Sequence, residues 1–157
     1  MNFKELAEQN EQWVIDQRRF FHQYPELSFE EYNTTKEIGK RLEEMGLTPH
    51  YYEDYPGLWT MIEGGKAGAG AKTIALRADI DALPVDEHTG LEFCSKNPGV
   101  MHACGHDCHI AMLLGGIKLL LEKKDELKGN VKIIFQAAEE SCYGARYYID
   151  HGFLDDV

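Results

Sequence analysis

Val131-Lys132-Ile133-Ile134-Phe135-Gln136-Ala137-Ala138-Glu139-Glu140 is an apolar run that leads directly into two adjacent carboxylates. Val131 to Gln136 is short and rich in β-branched and aromatic residues, so it reads as a strand. On either side of it the pattern changes period. Asp107 to Lys123 reads as a helix upstream, and Tyr143 to His151 as another downstream. Further toward the N-terminus, Lys72 to Arg77 reads as a buried-type strand. Gly64 to Gly70 is a glycine-rich loop or hairpin without a phosphate-binding pattern. Leu58 to Glu63 and Tyr51 to Tyr55 read as short strands around the Pro56-Gly57 turn. Ser28 to Met45 reads as an amphipathic helix, with Ser28 and Glu31 spaced as a capping box and Gly46 as a stop. Phe3 to Tyr24 carries Phe3, Leu6, Trp13, Val14, Phe20 and Phe21 at helical spacing, and Pro25 closes it. Asp79 to Gly105 reads as irregular. Strands alternating with helices predict an α/β fold, a mixed sheet flanked by helices. In such sheets functional groups gather where strands end and loops begin.

Composition narrows the function. The chain has 157 residues, 43% hydrophobic and 27% charged, which is ordinary for a globular domain with its own core. Its 27 acidic and 16 basic side chains leave a formal charge of -11. That balance argues against nucleic acid, whose phosphates need Lys and Arg to displace counterions, and against an anionic membrane surface. A small-molecule substrate is the expected partner. The greasiest run, Ile110 to Leu121, is interrupted by Lys118 and is too short to cross a bilayer. Met1 to Asn10 lacks the apolar core of a secretory signal, so a cytoplasmic location is the expectation. In that compartment Cys94, Cys104, Cys108 and Cys142 are expected to be reduced.

The chemistry concentrates in Met101-His102-Ala103-Cys104-Gly105-His106-Asp107-Cys108-His109. Imidazole and thiolate are the preferred ligands of zinc and similar ions. In an extended segment His102, Cys104 and His106 share one side. Gly105 allows a tight turn, and Asp107 is placed to cap the following helix. The positive end of that helix would favour thiolate at Cys104. A rival reading has Cys104, His106, Cys108 and His109 holding one structural zinc, although the usual paired spacing is missing. At the end of the 131–136 strand, Glu139 and Glu140 can divide two tasks, one binding metal and one accepting a proton. The plainer alternative is that both are solvated acids opening the next helix. Arg77, Asp79 and Asp81 share a face and form either an internal ion pair or a carboxylate that orients a metal ligand. His22, in Arg19-Phe20-Phe21-His22-Gln23-Tyr24-Pro25-Glu26-Leu27-Ser28, reads as structural.

Four motifs in this order, 19–28, 77–84, 101–107 and 135–140, resemble the M20 metallopeptidase family in its amidohydrolase branch. That branch holds N-acyl-amino-acid amidohydrolases, hippurate hydrolases and auxin-conjugate hydrolases. The resemblance implies a zinc-peptidase catalytic domain of the phosphorylase/hydrolase-like kind that cleaves the amide bond of N-acyl amino acids or similar small conjugates. It implies Cys104, His106 and Glu140 as metal ligands, with the Cys104 sulfur bridging two divalent ions (Zn, Mn, Co or Ni). It implies Glu139 as the general base and Asp79 as the support behind the site. The family usually has Pro where this chain has Ala137, and a glycine-rich run where it has Ser141-Cys142-Tyr143. Family members are more than twice as long. Residues 1–157 are therefore expected to be the N-terminal part of the catalytic domain. A lid and dimerisation domain and further metal-binding histidines would lie outside them. The activity and a homodimeric state are then expected of a full-length parent, and an inactive fragment here. The alternative is a non-catalytic metal-binding or interaction fragment.

Overall fold

The structure, a computed structural model, describes residues 2–157. Its first helix, α1 (Phe3–Gln23), is closed at the front by a capping box: the Asn2 side chain accepts from the Glu5 amide, and the Glu5 carboxylate accepts from the Asn2 amide. The second helix, α2 (Tyr32–Glu44), starts later than the sequence predicts. The capping box expected at Ser28 and Glu31 does not form. The Ser28 hydroxyl donates to Asp81 Oδ2 at 2.7 Å, and Glu31 takes the N-cap position without a side-chain cap bond.

The strands are β1 (His50–Tyr51), β2 (Leu58–Ile62), β3 (Thr73–Asp79) and β4 (Asn130–Gln136). Helix α3 (His106–Glu122) precedes β4 and α4 (Gly144–Asp150) follows it. The strand predicted over Tyr51 to Tyr55 shrinks to His50–Tyr51. Tyr52 and Tyr55 leave the ladder to pack on Tyr147 and Tyr148, with the Tyr55 and Tyr147 rings stacked at 3.9 Å. The sheet order is β1-β2-β4-β3, with β2 antiparallel and β3 parallel to β4. The predicted α/β fold with a mixed sheet is therefore what forms. β4 lies at its centre and is buried from Val131 onward, as expected of a strand covered on both faces. β3 departs from its buried-type reading. It lies at the sheet edge, Ile74 is 57% exposed, and only Ala78 and Asp79 at its end are buried.

Phe21, Ile38, Leu42, Leu58, Ile62, Ile110, Leu114, Ile117, Ile133 and Phe135 form the main core. Each such side chain contributes about 1.5–3 kcal/mol on burial. Helix α1 packs against α3 where Gly115 leaves room, since a Cβ there would stand 2.7 Å from Val14 Cγ2. A smaller cluster of Ile134, Tyr148 and Phe153 covers the other face. There the buried Lys132 ammonium donates to the Phe153 carbonyl at 2.6 Å and pairs with Asp156. No helix among the described residues is long and apolar enough to cross a membrane.

The parallel pairing of β3 with β4 sets up the site. Asp79 and Gln136 stand opposite each other at the C-terminal ends of the two strands. The segments that follow, Ile80-Asp81 and Ala137 to Glu140, therefore emerge side by side, and the N-terminus of α3 meets them there.

Candidate metal centre

His106 opens α3 and is buried. Gly105 before it has φ 97°, a left-handed turn that an L-residue resists; a Cβ would meet nothing, so backbone freedom rather than space is what glycine provides. The His106 Nδ1 lies 2.8 Å from the Asp81 carbonyl oxygen and 3.2 Å from Asp81 Oδ1. A carbonyl can only accept, so Nδ1 carries the proton. That leaves Nε2 as the basic nitrogen. Around Nε2 stand Asp79 Oδ1 at 3.6 Å, Glu139 Oε2 at 3.7 Å and Glu140 Oε1 at 3.8 Å. Burial opposes a charge on this ring. The Asp81 hydrogen bond and the Asp79 and Asp81 charges outweigh it and push the imidazole up to about 9.

Cys104, His106 and Glu140 each offer an atom within 4.8 Å of the others, a set in which all three ligands implied by the resemblance converge. Ligands 2.0–2.3 Å from a tetrahedral ion lie roughly 3.5 Å apart, so closure over an ion asks for about an ångström of movement. Glu140 Oε1 is buried without a hydrogen-bond partner, the state expected of an oxygen reserved for a cation. These residues fit a divalent metal. Asp79, His106 and His109 form a second set within 4.8 Å, and His109 Nδ1 is 2.5 Å from Asp79 Oδ1. Both sets draw on His106, whose single free nitrogen can serve one ion.

Two adjacent acids on a continuing strand would face opposite ways. Here Ala138 has φ 57°, and this kink after β4 brings both Glu139 and Glu140 within reach of His106 Nε2. Glu139 remains 41% exposed. The environment of Cys104 differs from the expectation drawn from the helix end. The adjoining Glu140 carboxylate, reinforced by some burial and by the Glu139 and Asp79 charges, pushes its thiol up, so the acids override the α3 dipole. A bound cation reverses that sign, since a coordinating thiol is deprotonated.

Two sequence expectations fail here. His102 does not join Cys104 and His106. The chain bends where the Ala103 amide bonds the Met101 carbonyl, breaking the period of two, and His102 is buried with neither ring nitrogen hydrogen-bonded. Asp107 is not a cap. It lies inside the first turn of α3, and its buried carboxylate pairs with His22 Nδ1 and Arg18 Nε, each at 2.8 Å. His22 in turn reaches Glu87 at 3.1 Å, so it ties α1 to α3 and to the irregular segment. Among the described residues Cys108 enters neither metal-ligating set, which removes support from the four-ligand structural zinc.

Asp81 is the residue that sequence reasoning undervalued. Besides holding His106, its Oδ2 accepts from the Glu140 amide at 2.8 Å and from Ser28. One buried carboxylate thus orients two of the three converging ligands. Hydrogen bonds from His106, Ser28 and Glu140 outweigh burial and hold its carboxyl below the ordinary range. The only hint in the sequence was its shared face with Asp79.

The family model for peptidase family M20/M25/M40 matches residues 75–157. The chain is 50% identical over 150 residues to thermostable carboxypeptidase 1 of Saccharolobus solfataricus, covering 94% of this chain and 37% of that protein. It is 49% identical over 147 residues to N-acetyl-L-cysteine deacetylase of Bacillus subtilis, covering 94% and 35%. Among solved structures it is similar to Bacillus subtilis YXEP, described as a dinuclear metal-binding peptidase of the M20 family. The TM-score is 0.87 and the identity 44%, over 98% of this chain and 42% of that one. The chain thus spans little more than a third of the length of these curated relatives. With its family match running through Asp79, Cys104, His106 and Glu139-Glu140, the chain belongs to peptidase family M20/M25/M40.

Proposed function

We propose that this chain carries the metal-binding and proton-transfer half of an amidohydrolase active site that cleaves N-acyl amino acids or similar small conjugates. The observation that carries the reading is the convergence of Glu139, Glu140 and Asp79 on His106 Nε2 with Cys104 alongside. The relatives' names support it, since one is a deacetylase of an N-acyl amino acid and another a carboxypeptidase. Cys104, His106 and Glu140 would hold divalent metal, two ions (Zn, Mn, Co or Ni) in the complete site. Such ions, when bound, polarise a carbonyl and acidify water. Asp81 keeps a proton on His106 Nδ1, so Nε2 is the nitrogen that gives up its proton to a binding cation. Glu139 takes the proton of the attacking water on its carboxylate and delivers it to the departing amine nitrogen. Asp79 holds His109 and stands beside His106 Nε2.

Further ligands, a lid and a dimer interface would come from sequence other than residues 1–157; the share of the relatives' length supports this division. All four cysteines are free, which fits a reducing, cytoplasmic setting. The test is turnover of a panel of N-acyl amino acids by the complete gene product with added Zn, Mn, Co or Ni. Glu139→Gln is expected to lower kcat at least a hundredfold with metal content unchanged. Full activity in that variant defeats the reading.

A further inference from the structure

Glu31 is wholly buried, at 0% exposure, yet its side chain makes no cap bond to the helix it precedes. Its side chain turns away from α2 and crosses to the end of β4. There Oε1 accepts from the Ala138 amide at 2.7 Å, while Oε2 is buried without a partner. Ala138 is the left-handed residue of the acid loop, a conformation L-residues adopt only when the surroundings enforce it. Other groups grip its neighbours. The Ala137 amide donates to Tyr148 Oη at 2.7 Å, and that hydroxyl donates to the Pro56 carbonyl. The Ala138 carbonyl accepts from Ser141 Oγ and from the Gly144 amide. At the Ala138 amide itself the partner is Glu31.

A carboxylate is a costly choice for that position. The charged and titratable groups facing it are Glu26, Asp81, Tyr55 and Tyr148, and none of them is a cation. Burial pushes the Glu31 carboxyl up to about 7, with the Ala138 hydrogen bond opposing. An apolar side chain would occupy the same space without this penalty. What it would lack is an acceptor for the Ala138 N–H. We propose that Glu31 is a positioning residue, one that fixes the left-handed kink at Ala138 and thereby aims Glu139 and Glu140 at His106. This rests on the metal reading of the site and adds a residue, about a hundred positions away in sequence, that shapes it.

The experiment compares Glu31→Gln with Glu31→Ala in the full chain. The readouts are the exchange rate of the Ala138 amide, Co(II) affinity by absorbance and cooperative unfolding in urea. Glu31→Gln keeps an acceptor oxygen and is expected to fold, to protect the Ala138 amide and to bind Co(II) within twofold of the parent chain. Glu31→Ala is expected to expose that amide to exchange and to weaken Co(II) binding at least tenfold. A folded Glu31→Ala chain with unchanged affinity overturns the proposal. So does a Glu31→Gln chain that unfolds or leaves the amide unprotected, whatever becomes of the alanine variant. If the complete gene product takes up no Co(II), the metal reading falls, and amide exchange alone still decides the role of Glu31.

Discussion

Replacing Asp81 by Asn tests the arrangement at its centre. The carboxylate makes contacts that demand an acceptor on both oxygens: Oδ2 takes the Glu140 amide at 2.8 Å and the Ser28 hydroxyl at 2.7 Å, and Oδ1 faces the His106 Nδ1 proton at 3.2 Å. Asparagine matches the shape but offers one acceptor. Whichever way its amide turns, an NH2 group confronts either the Glu140 N–H or the His106 N–H. A charge-assisted hydrogen bond contributes about 1.5–3 kcal/mol, and a buried donor left facing another donor adds about 1–3 kcal/mol. The backbone bond from His106 to the Asp81 carbonyl survives. Asp81→Asn should therefore cost about 3 kcal/mol in urea unfolding of the metal-free chain. Because His106 and Glu140 are both oriented by this group, Co(II) affinity should also drop, by roughly 10–100-fold. A variant that unfolds within about 0.5 kcal/mol of the parent and binds Co(II) equally well would show that the two ligands are held by packing alone.

Two other perturbations follow from the same geometry. The folded-state value of Glu31 near 7 lies above its ordinary 4.5, so the native chain holds that proton more tightly than the unfolded one. The resulting destabilisation is absent below the ordinary value, grows as pH rises to about 7, and totals roughly 3 kcal/mol above it. Glu31→Gln should therefore gain stability relative to the parent between about pH 4.5 and about pH 8, and a constant difference across that range rules the explanation out. Gly144→Ala would set a Cβ 2.1 Å from the Ala137 carbonyl oxygen, and urea unfolding should show a loss of at least about 2 kcal/mol.

Much of the fold is legible where one local pattern dominates. Phe3 to Tyr24, Asp107 to Lys123 and Val131 to Gln136 differ from α1, α3 and β4 by a residue or so at their ends. Their apolar spacing leaves little else to form. Local reasoning fails where a side chain has a better partner far along the chain. Ser28 and Asp107 look like caps, yet Asp81 claims the first, and His22 and Arg18 claim the second. Lys72 to Arg77 looks like a covered strand, but only the strand order shows that β3 lies at the edge.

The same division runs through the site. Residue types mark Cys104, His106, Glu139 and Glu140 as candidates for metal and proton chemistry, and the family resemblance is what implies Cys104, His106 and Glu140 as ligands and Glu139 as the base. Which carboxylate orients the ligands is a matter of direction in space, and spacing does not encode it. Asp79 and Asp81 are equivalent by pattern. Only the parallel pairing of β3 with β4, which puts Asp81 beside the Glu140 amide and beneath His106, separates their tasks. Glu31 likewise acquires a role only when folding brings it to Ala138, since a hydrogen bond depends on where the donor points and not on how far away it lies in sequence.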